Sequence, residues 1–280
     1  MRFAALLLAM AAAPVPAAAP LRIVSINPCV DAILMHVADP AQIAGISHYS
    51  KDPRASSITM AQAARFAATS GTAEEVVALA PTLVIAGAHV APATIAALRR
   101  MDIALLQLGV PETIAESRDQ IRQIAAAAGH PERGASLNAR IDAAVGAARS
   151  AAPPVPALIW QGGGLVPGEA TLASELLRTA GFHNLSHDYG LKTWDVLPLE
   201  YLVARPPAVL FSVGDTRGED RMLGHPVMQR LAMHTEIRRY PERLLRCGGP
   251  TIIDALATLA SARHSLKPAT LAAQPMALQR

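Results

Sequence analysis

Side chains able to bind a ligand follow several of the buried strands that the sequence predicts. In open α/β sheets, ligands bind beyond the carboxyl ends of the strands. The sequence therefore predicts a site built from imidazole, sulfur and aromatic groups that lie far apart in the chain. The segments at these ends are Asn27-Pro28-Cys29, His48-Tyr49, Gly87-Ala88-His89 and Trp160-Gln161-Gly162, and Cys247-Gly248-Gly249 lies in a later loop.

A pattern that occurs twice indicates which elements position these residues. Glu74 is followed by Pro81 and an apolar run, and Glu200 is followed at the same spacing by Pro207 and a similar run. Each copy predicts an amphipathic helix that ends at a proline, with a short buried strand directly after it. Aliphatic strands fed by helices are typical of parallel sheets covered on both faces. The repeat therefore predicts two similar α/β lobes with a cleft between them.

Proline and glycine positions set the predicted boundaries of these lobes. The N-terminal lobe covers 20–111, the C-terminal lobe covers 152–268, and a tail follows at 269–280. A helical connection over 112–151 joins the lobes. Its second helix, from about residue 132 to 150, would be roughly 28 Å long at the rise of an α-helix.

The N-terminus has the composition of an export signal. Arg2 precedes an apolar stretch of about ten residues, and small residues follow through Ala19. This stretch is shorter than the roughly 20 residues of a membrane-spanning helix. Residues 1–19 are therefore predicted to be a signal peptide cleaved near residues 17–19. The mature protein is expected to be soluble and exported, which in a bacterium with two membranes means the periplasm.

Composition and spacing argue against several other functions. The chain is 51% hydrophobic and 17% charged, so it can bury large cores. Its net charge of +3 is small, and the arginines after residue 217 alternate with acidic residues, so nucleic acid is not an expected partner. No Ser-His-Asp or paired-carboxylate arrangement emerges, and no catalytic residue is predicted.

Many short segments, in the same order along the chain, resemble periplasmic proteins that bind cobalamin or ferric siderophores. The resemblance covers nearly the whole mature chain. It implies a class III periplasmic binding protein, with two Rossmann-like lobes that have parallel sheets, are joined by a single long α-helix and open only slightly. The segments are Arg22-Ile23-Val24-Ser25-Ile26-Asn27-Pro28, Gly45-Ile46-Ser47-His48-Tyr49-Ser50, the Glu74 pattern, the glycine-rich turn after Trp160, Ala180-Gly181-Phe182-His183-Asn184, Trp194 and the Glu200 pattern.

The family implies a function as the solute-binding protein of an ABC importer. Such a protein captures a metal-bearing organic complex, here a corrinoid, a ferric siderophore or a heme, and delivers it to the permease and ATPase complex of the inner membrane. A glutamate on each lobe docks onto permease arginines in that family, and Glu74 and Glu200 stand at the matching positions. The alternative is that both merely complement helix dipoles. The ligand would carry its own metal, so no resident cofactor is expected, and the protein is expected to be a monomer.

The resemblance also implies which residues contact the ligand. Tyr49 and Trp194 match cleft-facing aromatic residues of the family, and Trp160 or Gln161 stands where another often lies. Aromatic faces suit a large flat ligand. His89 stands near a tryptophan of the cobalamin-binding relatives, which leaves the ligand class open. The predicted contacts are Asn27, Cys29, His48, Tyr49, His89, Trp160, Gln161, Trp194 and Cys247.

Three interpretations are open for Cys29 and Cys247, the only cysteines. They are two buried, unpaired small residues, which we favour, or a disulfide across the cleft, or ligand contacts near His48 or His89. A disulfide requires Cα atoms within about 7 Å, which is demanding across a cleft. Thiolates and imidazoles suit a transition metal, but no Cys-x-x-Cys or His-Glu-x-x-His spacing is present, so no metal site is predicted.

A second hypothesis is an enzyme on a related two-lobed frame. A chelatase that inserts metal into a tetrapyrrole could use His48, His89 and Cys29 as acid–base or metal groups. The signal peptide and the paired glutamates favour a binding protein over this alternative. A receptor for free metal ions should show several convergent histidines or carboxylates, and the sequence shows none.

Overall fold

The computed structural model of the chain describes residues 20–213 and 235–267, together with positions 226, 231 and 270. The predicted signal peptide at 1–19 and most of the predicted tail at 269–280 lie outside the described residues. Within this part of the chain, no helix is both long enough and apolar enough to cross a membrane.

The N-terminal lobe is built on a five-stranded parallel sheet. Its strands are β1 (Ile23–Ser25), β2 (Ile43–Ser47), β3 (Ala68–Thr69), β4 (Leu83–Gly87) and β5 (Ala104–Leu108), and its helices are α1 (Pro28–Val37), α2 (Met60–Ala64), α3 (Ala73–Ala78) and α4 (Pro92–Arg100). The strand order is β3-β2-β1-β4-β5, with every pair parallel. The chain thus begins in the middle of the sheet and moves outward in both directions, which is the doubly wound arrangement.

Two helices follow the N-terminal lobe, α5 (Ile114–Ala127) and α6 (Pro131–Ala148). Gly129 has a φ of 79° directly after α5, which ends that helix before Pro131 begins the next. The 18 residues of α6 span about 27 Å. This helix contacts α1 and α5 on one side and the last helix of the C-terminal lobe on the other. It is the predicted long helix between the lobes.

The C-terminal lobe repeats the α/β plan on a six-stranded sheet. Its strands are β6 (Val155–Gln161), β7 (Leu165–Val166), β8 (Phe182–Asn184), β9 (Asp195–Val196), β10 (Val209–Val213) and β11 (Glu236–Arg239), and its helices are α7 (Leu172–Thr179), α8 (Leu199–Ala204), α9 (Arg243–Arg246) and α10 (Thr251–His264). Parallel pairing joins β8 to β6, β6 to β10 and β10 to β11. This order matches β2-β1-β4-β5 of the first lobe, and α3 and α8 precede equivalent strands. The predicted repeat and the two-lobed α/β fold are confirmed.

The second sheet is mixed rather than wholly parallel. The short strands β7 and β9 pair antiparallel beside the carboxyl end of β6. The chain reverses at the three glycines after β6, where Gly163 and Gly164 have φ values of 73° and 86°. Glycine adopts this left-handed conformation without a steric cost. The glycine-rich turn therefore adds an antiparallel extension to a parallel core.

The two lobes share one apolar core. Ile23 and Ile33 of the first lobe belong to the same buried cluster as Ile141 of α6 and Phe211 and Leu256 of the second. The opposite faces of the two sheets are covered by smaller separate clusters. One contains Val24, Val76, Val84 and Leu98, and the other contains Leu158, Trp160, Leu202 and Leu210. Alternate residues of each central strand therefore face the shared core and the separate layer.

Candidate ligand-binding cleft

A cavity of about 340 Å³ lies between the lobes. Its N-terminal wall comes from the segments after β1, β4 and β5, and its C-terminal wall from the start of α7, the segment before β9 and the loop after α9. The N-terminal wall thus lies at the carboxyl ends of parallel strands, where open α/β sheets bind ligands. Five of the predicted contact residues line the cavity: Asn27, Cys29, His89, Trp194 and Cys247.

Asn27 organises the N-terminal wall. Its side-chain oxygen accepts hydrogen bonds from the backbone nitrogens of Cys29 (2.8 Å) and Val30 (3.3 Å), so it caps α1. At the end of β4, a Cβ atom on Gly87 would lie 2.2 Å from the Asn27 side-chain nitrogen. A larger residue at that strand end would therefore have to displace the capping side chain of Asn27. The cap fixes the direction in which α1 leaves the cleft and places Cys29 in the cavity wall.

His89 follows β4 with an exposed side chain in the cavity wall. It forms no hydrogen bond or ion pair with any described residue. An imidazole in this state retains both a donor and an acceptor nitrogen. A ligand in the cavity can therefore use either nitrogen of His89.

Trp194 forms part of the opposite wall and is 39% exposed. The segment that carries it is clamped to the loop before α7, because the backbone nitrogens of Glu169 and Ala170 donate to the carbonyls of Leu191 (2.8 Å) and Lys192 (2.7 Å). A Cβ atom on Gly168 would lie 2.2 Å from the Thr193 carbonyl oxygen. Glycine at 168 permits this close approach, and the two hydrogen bonds keep the segment that carries Trp194 at the cavity.

Arg246 lies in the cavity wall and was not among the predicted contacts. Its guanidinium pairs with Glu242, and its Nε donates to the carbonyl of Arg54 in the other lobe at 3.1 Å. In sequence it belongs to a run of arginines that resembles a solvated surface, and no local signal separates it from its neighbours. Glu112 of the first lobe also lines the cavity. Both signs of charge are thus present around the site.

Cys29 and Cys247 form a disulfide between the lobes, with their Cα atoms 5.2 Å apart. The favoured interpretation of two unpaired cysteines is wrong, and the bridged alternative is confirmed. Neither sulfur is a thiolate, so the pair cannot ligate a metal as thiolates. The bridge forms because α9 and the segment after it cross to the first lobe. There the carbonyl of Arg243 accepts from Ser57 Oγ at 3.3 Å, and the backbone nitrogen of Gly249 donates to Ser117 Oγ at 2.7 Å.

Four of the predicted contacts do not line the cavity. His48 and Tyr49 lie on a 3-10 turn after β2, with ring centres 4.0 Å apart, and Tyr49 is 53% exposed. Trp160 is fully buried and packs with Leu158 in the layer on the far face of the sheet, since its position in β6 points away from the shared core. Gln161, the last residue of β6, is half-buried outside the cavity.

Asp31 supports the turn that carries His48 and Tyr49. Its Oδ2 accepts from Ser50 Oγ at 2.6 Å and from the Ser47 backbone nitrogen at 3.0 Å. Its Oδ1 is buried without a hydrogen-bond partner. Burial raises the pKa of Asp31 to about 7, although the neighbouring polar groups of Ser25, Ser50 and Ser47 lower it. This carboxyl is therefore part of the fold and lies behind the turn, not in the cavity.

Glu74 and Glu200 are exposed in the first turns of α3 and α8. Neither forms a hydrogen bond or ion pair with a described residue. The neighbouring Glu75 instead accepts from the Ser70 backbone nitrogen at 2.6 Å and from Thr69 Oγ1 at 3.1 Å. These bonds, chiefly those with Ser70, lower the pKa of Glu75. Glu75 thus has a local structural role, whereas the side chains of Glu74 and Glu200 are available to a partner.

The described residues include no group of three or more His, Cys, Asp and Glu side chains that could hold a metal ion. The three residues suggested for a chelatase are not brought together either. Cys29 is in a disulfide, and His48 lies outside the cavity that His89 lines. The site has the features of a binding cleft between two lobes.

Comparison with known proteins gives matches over most of the chain. A family model described as periplasmic binding protein matches residues 23–236. No curated protein sequence matches the chain.

Among solved structures, the chain is similar to the apo periplasmic heme-binding protein RhuT from Roseiflexus sp. RS-1, with 23% identity, a TM-score of 0.67, and coverage of 87% of this chain and 99% of that one. It is also similar to the periplasmic vitamin B12-binding protein BtuF of Vibrio cholerae, with 18% identity, a TM-score of 0.69, and coverage of 86% and 95%. A third is the periplasmic heme-binding protein HutB of Vibrio cholerae, with 17% identity, a TM-score of 0.70, and coverage of 88% and 100%. These similarities show a common fold.

Proposed function

Because this chain belongs to the periplasmic binding protein family, we propose that it is the solute receptor of an ABC importer. It binds a metal-bearing organic complex, namely a heme, a corrinoid or a ferric siderophore, in the cleft between its lobes. The observation that carries this proposal is the cavity of about 340 Å³ to which both lobes contribute. Its volume lies within the range of roughly 300–1,000 Å³ found for small-molecule sites.

The chemistry of the cavity wall supports a ligand that is flat, bears a metal and has acidic groups. Trp194 offers an aromatic face to a planar ring system. His89 offers a nitrogen of the kind that binds transition metals. The guanidinium of Arg246 suits a carboxylate or another anionic group. The three side chains come from distant parts of the chain and meet only at the cleft.

The route of the ligand follows from the same proposal. Residues 1–19 direct export and are removed, and the mature monomer collects its ligand in the periplasm. Glu74 and Glu200 then dock onto basic residues of the permease, one from each lobe. Their support is their exposure at equivalent positions of the repeat.

A binding titration with matched variants tests the ligand class. We would titrate the purified mature protein with hemin, cyanocobalamin and a ferric siderophore and measure affinity by calorimetry. One of the three should bind with a Kd below about 1 μM. Trp194→Ala should weaken that binding at least about tenfold through loss of the aromatic contact.

Tyr49→Ala is the matched control, because Tyr49 is an exposed aromatic residue outside the cavity. It should bind as the wild type does. Failure of all three ligands to bind would contradict the proposed ligand class. Equal affinities of Trp194→Ala and the wild type would contradict the proposed cleft contacts.

A further inference from the structure

We propose that the Cys29–Cys247 disulfide is a reducible tie that holds the cleft closed. Its reduction lets the two walls of the cleft move apart around the shared apolar core and speeds the release of ligand. The part concerning ligand release rests on the proposed function, whereas the part concerning lobe separation stands on the geometry alone.

The disulfide occupies the place at which a single covalent bond can control the cleft. Both cysteines line the cavity, and their Cα atoms are held 5.2 Å apart across the two lobes. Besides apolar packing at the shared core, two single hydrogen bonds join the crossing segment to the first lobe. They join Ser57 Oγ to the Arg243 carbonyl at 3.3 Å and Arg246 Nε to the Arg54 carbonyl at 3.1 Å. Hydrogen bonds of this kind open and close readily, whereas the disulfide is covalent and stays closed until it is reduced.

Hydrogen exchange at two backbone amides shows whether the C-terminal lobe remains in contact with α5. The amide of Gly249 donates to Ser117 Oγ at 2.7 Å, and the amide of Ile114 donates to a Glu175 oxygen at 2.6 Å. Each bond joins α5, which packs on α1, to the C-terminal lobe. Cys247 is only two residues from Gly249, so the disulfide keeps the Gly249 amide close to Ser117. Separation of the lobes must break both bonds.

The disulfide is reduced in two thiol–disulfide exchange steps. The reductant is a dithiol, and its thiolate attacks the sulfur of Cys29, the more exposed of the two cysteines. The Cys29–Cys247 bond breaks, a mixed disulfide forms, and Cys247 leaves as a thiolate that takes up a proton. The second thiol of the dithiol then loses its proton and attacks the reductant sulfur of the mixed disulfide. Cys29 leaves as a thiolate and takes up a proton, and the reductant becomes an intramolecular disulfide. Two electrons pass to the protein.

The position of Cys29 favours the reduced form. It is the second residue of α1, a helix of 10 residues, and the positive end of the helix dipole stabilises a thiolate there. A ligand in the cavity covers the disulfide that lines it. If the tied form binds ligand more tightly than the untied form, bound ligand makes the disulfide harder to reduce by the same factor. Occupancy and reduction thus oppose each other.

Amide exchange without ligand tests the tie. We would compare three forms by hydrogen–deuterium exchange with NMR detection: the oxidised protein, the dithiothreitol-reduced protein with both thiols blocked by iodoacetamide, and the Cys29→Ser/Cys247→Ser variant. Exchange at Gly249 and Ile114 should be at least about tenfold faster in both untied forms. Val84 and Leu210, which lie in the centres of the two sheets, should remain the slowest of the four amides, and the far-UV circular dichroism should not change, which shows that both lobes remain folded.

A rejoined form provides the matched control. Reduced protein treated with diiodomethane gains a methylene bridge between the two sulfurs, which restores the tie without the disulfide. Slow exchange at Gly249 and Ile114 should return. The proposal is overturned if these two amides exchange equally in the tied and untied forms. It is also overturned if Gly249 and Ile114 have the same opening free energy as Val84 and Leu210 in the untied forms, because they would then open only when the whole protein unfolds.

Release of a probe completes the test. With gallium protoporphyrin IX and cyanocobalamin as probes, dissociation from the serine variant should be at least about tenfold faster than from the oxidised protein. Equal dissociation rates would overturn the claim about release. If neither probe binds any form, the proposed function fails for both of these ligand classes. The exchange experiment still decides whether the disulfide ties the lobes.

Discussion

Replacement of the buried Asp31 should change how the stability of the protein depends on pH. Burial raises the folded-state pKa of Asp31 from 3.8 to about 7. Between these values the folded protein holds a proton that the unfolded chain has released, so stability must fall as pH rises. The loss is about 1.4 kcal/mol per pH unit up to the folded pKa and stops above it. From pH 5 to pH 8 it amounts to about 3 kcal/mol.

Asp31→Asn removes this titration and keeps the shape of the side chain. The amide oxygen can accept from Ser47 and Ser50 as the carboxyl does, and the amide nitrogen replaces an oxygen that has no partner. The free energy of unfolding of the variant should therefore gain about 3 kcal/mol relative to the wild type between pH 5 and pH 8. In melting temperature this is roughly 6–10 °C for a chain of this size.

Urea unfolding followed by circular dichroism at both pH values measures the effect. Asp142→Asn is the control, because Asp142 is about half exposed and pairs with Arg118 at the surface. It should leave the wild-type pH dependence in place. Parallel pH profiles for Asp31→Asn and the wild type would refute the reasoning, since the carboxyl would then not be protonated in the fold.

Three further predictions follow from other parts of the structure. The Cys29→Ser/Cys247→Ser variant should lose about 5 kcal/mol of unfolding free energy, because the bridge joins residues 218 apart. Calorimetry measures this loss, and an unchanged melting temperature would contradict it. Glu74→Lys and Glu200→Lys together should abolish uptake in cells while ligand affinity stays the same, whereas exposed Glu132→Lys should transport normally; transport by the double variant would contradict docking. Gly168→Ala should weaken ligand binding at least about tenfold, since its Cβ would displace Thr193 and the neighbouring Trp194, while Gly146→Ala, whose Cβ meets nothing within 4 Å, should bind normally in the same titration.

The sequence predicts the parallel parts of the fold because their signals are local. The Glu74 and Glu200 patterns each combine a helical face, a terminating proline and an aliphatic strand within a short window. The antiparallel strands β7 and β9 have two residues each, which is too short for any periodicity to appear. The glycine turn before β7 signals a change of direction but not which strand will pair next.

Part of the cavity wall can be located from the sequence, because strand ends can be predicted whereas side-chain directions cannot. Asn27 and His89 each lie two residues after a strand ends, and both line the cavity. Trp160 also lies near a strand end, but β6 is buried on both faces, so alternation did not show which layer its ring would enter. The disulfide depends on the approach of segments 218 residues apart, and Arg246 is distinguished from other arginines only by its place in the cleft.

The helices that carry Glu74 and Glu200 pack against different hydrophobic clusters from the one beneath the cleft. Val76 of α3 and Leu202 of α8 belong to the small separate clusters, while the elements around the cavity base belong to the shared core. Small clusters yield locally at lower free energy than a large core does. A permease that bound Glu74 and Glu200 could therefore displace these two helices at a lower free energy than is needed to deform the shared core.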